Sequence, residues 1–85
     1  MEFVKTMMFL GVKRRVGEKG VSYVVTMFCP GGDSWTFYLK DNVENNKLIS
    51  YLLSAQSGQM VDASLLVGTY DGKLFLRLTA CEDAA

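Results

Sequence analysis

Alternation of apolar and polar side chains, the signature of strands with one buried face, dominates this 85-residue chain and is interrupted once. Phe3 to Val12 is rich in β-branched and aromatic residues and reads as a first strand. The KRRVGEKG that follows combines charge with two glycines and reads as a turn. Val21 to Cys29 is a second strand, stopped by Pro30-Gly31-Gly32-Asp33, where proline removes a ladder donor and glycine permits reversal. In Ser34 to Lys40 the alternation puts Trp35, Phe37 and Leu39 on one side and Thr36, Tyr38 and Lys40 on the other.

The period then changes. Leu48, Tyr51, Leu52 and Ala55 fall at i, i+3, i+4 and i+7, the stripe of an amphipathic helix. Asp41 and Glu44 have the spacing of a capping box at its start, and Gly58 stands just beyond its end. Gln59 to Val67 returns to alternation, Gly68 to Gly72 supplies a reversal containing Asp-Gly, and Lys73 to Cys81 alternates again. That last register directs Leu74, Leu76 and Leu78 inward and Lys73, Phe75, Arg77 and Thr79 outward; Leu66 also points outward. Three strands, a helix and two strands form one domain over residues 1–85, with no linker, repeat or low-complexity run.

This order is that of a mainly β, five-stranded OB-fold-like Greek-key barrel with one helix between strands 3 and 4. Gly17-Glu18-Lys19-Gly20-Val21-Ser22-Tyr23 and Tyr70-Asp71-Gly72-Lys73-Leu74-Phe75-Leu76-Arg77-Leu78 resemble the first and last hairpins of small OB-fold single-stranded-DNA-binding proteins. The compact forms from phages, plasmids and integrative elements are similar in size. The resemblance implies sequence-tolerant binding of single-stranded DNA. It does not extend to the acidic, glycine-rich tail of cellular members of that group, for which Glu82 and Asp83 are too few.

Composition narrows the chemistry. With 49% hydrophobic and 21% charged residues the chain is neither a disordered nor a membrane-spanning type. The N-terminal charges follow the apolar run, the reverse of a signal peptide, so a cytoplasmic protein with reduced Cys29 and Cys81 is expected. Histidine is absent, which removes the commonest general base and transition-metal ligand. The two cysteines have no second pair to complete a zinc site, and the carboxylates show no catalytic pairing. Gly17-x-x-Gly20 and Gly68-x-x-x-Gly72 lack the ending of a phosphate loop and read as turns. No enzymatic activity, metal or cofactor is expected.

Net charge is zero but uneven. Residues 1–40 hold six Lys or Arg against three Asp or Glu, a balance of +3, and residues 41–85 hold three against six, a balance of −3. Single strands are gripped where cations follow phosphates and flat rings stack on bases. The candidates are Lys13, Arg14, Arg15 and Lys19 as a basic loop between strands 1 and 2, with Lys40, Lys73 and Arg77 on strands 3 and 5. The rings are Tyr23, Trp35, Tyr38, Tyr70 and Phe75; among them Trp35 shares the parity of Phe37 and Leu39 and is first a core residue. The alternative is a protein-interaction or homo-oligomer module in which Phe75, Tyr38 and Leu66 meet a partner or symmetry mate. RNA as ligand uses the same physics as DNA.

Overall fold

The computed structural model describes residues 1–85. Its elements are β1 (Glu2–Gly17), β2 (Gly20–Phe28), β3 (Ser34–Lys40), α1 (Asn46–Ser54), β4 (Met60–Tyr70) and β5 (Lys73–Asp83), with all strands antiparallel in one sheet of order β3-β2-β1-β4-β5. The mainly β character and the single helix between β3 and β4 agree with the sequence pattern.

β1 organises the sheet. Its first half, Glu2 to Met8, pairs with β4, and its second half, Met8 to Gly17, pairs with β2. The two registers meet at a bulge between Phe9 and Gly11 that leaves Leu10 unpaired, and an inserted residue bends a strand. Residues beyond the helix secure the bend: Gly58 N–H donates to the Phe9 carbonyl at 2.7 Å, and Phe9 N–H donates to the Gln59 carbonyl at 2.8 Å. Gly58, at φ +93°, adopts there a backbone few other residues accept.

Met7 and Phe9 of β1, Tyr23, Val25 and Met27 of β2, Phe37 and Leu39 of β3, Val61, Ala63 and Leu65 of β4, and Leu78 of β5 make the core. Leu48, Ile49 and Leu52 of α1 complete it. Tyr51, on the helix flank, donates to Asp83 Oδ1 at 2.7 Å, and Gln59 Nε2 donates to the same oxygen at 2.7 Å, which fastens the end of β5 to the helix. Desolvation and the bond to Asp83 hold the Tyr51 phenol well above its ordinary pKa.

Four expectations are corrected. KRRVGEKG is not a loop: β1 continues through Lys13, Arg14 and Arg15, which pair with Val24, Tyr23 and Ser22, and only Glu18-Lys19 turn before Gly20 at φ +116°. Lys13 and Arg15 stand on the wet outer face and Arg14, on the inner side, is exposed as well, so charge is no obstacle to the strand and ladder hydrogen bonds set its length here. The helix begins later than the capping-box spacing predicts, because Asp41 N–H is still bonded to the Val21 carbonyl at 3.0 Å. Asn42 and Asn45 shape the approach, with Asn42 Oδ1 accepting from Asn45 N–H at 3.0 Å and Asn45 Nδ2 donating to the Lys40 carbonyl at 2.9 Å. Ala55, extended, closes the helix, so Gly58 serves the β1 bend and not the helix end. Finally, Leu74 and Leu76 lie on the inward side of β5 but are 79% and 37% exposed. The β4–β5 hairpin runs past the body of the domain, and only Leu78 reaches cover.

Candidate nucleic-acid interface

Registers across β1, β2 and β3 align functional side chains in two rows on the outer face. Lys13 is opposite Val24, which is opposite Tyr38; Arg15 is opposite Ser22, which is opposite Lys40. Neighbouring strands lie about 4.8 Å apart, so each row is roughly 10 Å long and the second follows two residues after the first. The small or β-branched residue between the ends of each row leaves the flanking side chains standing clear. Tyr38, on a strand laddered on only one side, is 68% exposed.

The rows are bordered by two grooves. One runs between the β1–β2 turn and the end of β3, lined by Arg15, Lys19, Ser22, Lys40 and Asn42 together with Glu18 and Asp41. Three cations, a hydroxyl and an amide there suit a phosphodiester, while the Glu18 and Asp41 carboxylates in the same lining oppose one. The other groove lies where the sheet edges β3 and β5 approach, and Tyr38, Lys40 and Arg77 share it with Asn42, Glu44 and Asn45. Arg77 thus joins Tyr38 although 39 positions separate them in the chain.

The structure sorts the remaining candidates. Phe75 lies opposite Gly68 in the β4–β5 ladder, and its ring covers the glycine so closely that a Cβ there would collide with Phe75 Cζ. An aromatic laid over a strand glycine explains an outward Phe without any partner and leaves the ring 40% exposed beside Arg77. Lys73 and the 80% exposed Tyr70 face each other at the far end of the hairpin, away from the rows. Arg14 is opposite the buried Tyr23 and therefore on the inner side of the sheet, separated from Lys13 and Arg15. Tyr23 itself is a core residue and presents no ring to the surface. Trp35 packs against the core, 6.2 Å from the Phe37 centroid, with Lys5 Nζ 5.9 Å from its own ring centroid.

Ser22, Asn42 and Phe28 belong to the outer face and grooves but were not among the candidates. Phe28 was within reach of the pattern, since it shares the parity of Ser22, Val24 and Thr26 and is 36% exposed next to Met8 and Ser34. Asn42 carries no such signal because it lies in the turn before α1.

Cys29 and Cys81 are free thiols, each half-buried. Desolvation, with the neighbouring Asp62 and Asp83 carboxylates, pushes the Cys81 thiol up to about 11. No helix is long and apolar enough to cross a membrane. No family model, curated protein or solved structure matches this chain.

Proposed function

We propose that this chain is a sequence-tolerant single-stranded-DNA-binding domain of the OB type, acting by binding and not by catalysis. The observation that carries the reading is the Tyr38 ring standing free on the outer face within a border of Lys13, Arg15, Lys40 and Arg77. A ring and cations so placed stack on a base while neutralising the phosphates on either side of it. The strand order, and the approach of β3 to β5 along a shared groove, support a partly open Greek-key barrel whose β2–β3 face receives the strand.

In this reading the strand crosses the outer face from the groove at Lys19 to the groove at Arg77. Lys13, Arg15, Lys19, Lys40 and Arg77 hold phosphates, and Tyr38 stacks. Phe75, further along β5 from Arg77, offers a second and less exposed ring. The proposed grip rests on cations for phosphates and a ring for stacking, which every nucleotide offers alike, and tolerance of sequence is proposed on that ground. A cytoplasmic location and a phage or mobile-element origin accompany the resemblance.

The test is fluorescence anisotropy of a labelled oligothymidine of about 15 nucleotides, titrated at roughly 20 mM and 500 mM salt. Saturable binding at low salt that weakens steeply at high salt is expected; absence of binding at low salt removes the proposal. An oligouridine of the same length measures discrimination between DNA and RNA.

A further inference from the structure

The inner side of the β4–β5 hairpin remains after the outer face has been accounted for. Beyond the buried Leu65 and Leu78, the same side of the sheet continues as Val67 and Leu76, opposite each other, and then Leu74 opposite Thr69. β1 extends the strip sideways: Phe3 is opposite Leu65, and Met1 exchanges backbone hydrogen bonds with Val67, donating at 3.2 Å and accepting at 2.8 Å. Met1, Leu74, Leu76 and Phe3 are 87%, 79%, 37% and 37% exposed. Together they leave on the order of 400 Å² of apolar surface uncovered, within the range where the largest patch on a small protein has a purpose.

We infer that this strip is a self-association surface and that its occupant is the same strip of a second copy. Three observations select that occupant. The strip holds no charged side chain; its one charge, the Met1 ammonium, donates to the Val67 carbonyl at 3.2 Å, and Lys5, further along the same side of β1, lies 5.9 Å from the Trp35 ring centroid, so the strip offers a phosphate backbone no row of cations. A two-fold axis through the Val67–Leu76 row sets apolar on apolar at that row, with the Thr69 hydroxyl and the Met1 ammonium the polar groups beside it. The area also fits. Two strips remove about 800 Å² of apolar surface, and the polar rim brings the total near the ~1,000 Å² at which specific interfaces begin. A chain of zero net charge adds no overall repulsion between copies.

The dimer uses the inner side of the hairpin and leaves the outer face open, so it does not rest on the nucleic-acid reading. If that reading holds, each dimer presents two binding faces and a long strand gains avidity.

Sedimentation equilibrium of the wild-type chain from about 10 µM to 1 mM tests the inference, since an interface of this size gives weak association. The average mass is expected to rise from 9.5 kDa toward twice that value, with little change between low and high salt. Leu74→Asp, at a largely exposed position that folding does not require, is expected to weaken association at least tenfold while leaving oligothymidine affinity per chain unchanged. Arg15→Glu is expected to do the reverse. A mass fixed at 9.5 kDa throughout, a Leu74→Asp variant that associates as tightly as wild type, or association abolished by salt each overturns the inference. Backbone NMR shifts at Leu74 to Leu76 that follow oligonucleotide and not chain concentration would hand the strip to nucleic acid and overturn it equally.

Discussion

Removing the Tyr38 ring separates binding from folding. Tyr38 is 68% exposed on an edge strand and makes no side-chain hydrogen bond, so Tyr38→Ala leaves the core intact and costs little stability. Stacking of one base on one ring is worth about 1–3 kcal/mol, and each 1.4 kcal/mol is tenfold in Kd, so oligothymidine affinity falls by roughly 5- to 150-fold. Tyr38→Phe keeps the flat ring and holds the change within about threefold. Tyr23→Ala supplies the contrast, because that ring is buried and its loss opens a cavity costing about 3–5 kcal/mol. Anisotropy reports binding and urea melts report stability. Anisotropy of a labelled strand is preferable to intrinsic fluorescence, as Trp35 packs against the core and not along the strand path. Tyr38→Ala binding within twofold of wild type, with an unchanged urea midpoint, would show that the ring does not stack and refute the geometry argued above.

Further outcomes are expected from other parts of the molecule. The logarithmic salt slope for a single strand is about −0.7 per phosphate neutralised, so Lys13→Ala with Arg15→Ala should reduce its size by about 1.4, whereas Arg14→Ala, on the inner side, should leave it unchanged; equal effects would contradict the strand register. Gly68→Ala should cost about 1–2 kcal/mol in urea denaturation by displacing the Phe75 ring, yet become neutral or stabilising in a Phe75→Ala background, where alanine outperforms glycine in a strand by about 0.5–1 kcal/mol. The same cost in both backgrounds would show that the ring does not cover the glycine. Cys81, with its thiol pushed up from 9.0 to about 11, should hold about a hundredfold less thiolate at pH 8 than an unshifted thiol and alkylate correspondingly slowly. Because the folded value is the higher one, the neutral thiol favours the fold below pH 9, and that contribution is lost as pH rises from about 9 to 11. Alkylation at the rate of a free thiol would place Cys81 in water.

Much of the fold was legible because alternation and helical spacing report which side of an element is buried. Ser34–Lys40 has the same bounds in sequence pattern and structure, and Trp35 occupies the inner side its parity assigns. What parity does not report is whether anything lies over that side. Leu74 and Leu76 alternate with Lys73, Phe75 and Arg77 as a core strand would, yet the hairpin carries them beyond the helix and the other strands. The basic cluster shows a second limit. Lys13, Arg14 and Arg15 resemble a loop in composition, but pairing with β2 makes them strand residues and sends Arg14 to the opposite side from its neighbours. Tyr23 was the converse case, since its parity with Val25 and Met27 already pointed inward. The meeting of Arg77 with Tyr38 depends on two sheet edges drawing together, a non-local event with no local sequence mark.

The most direct measurement is a ¹H–¹⁵N chemical-shift titration of the chain with unlabelled oligothymidine at low salt. The account predicts that the largest shifts fall on Lys13, Arg15, Lys19, Ser22, Tyr38, Lys40 and Arg77, while Arg14, Lys5 and the Asp62 and Glu82 region of β4 and β5 change little. Shifts centred on β4 and β5 away from Arg77, or no saturable shifts at all, would contradict it.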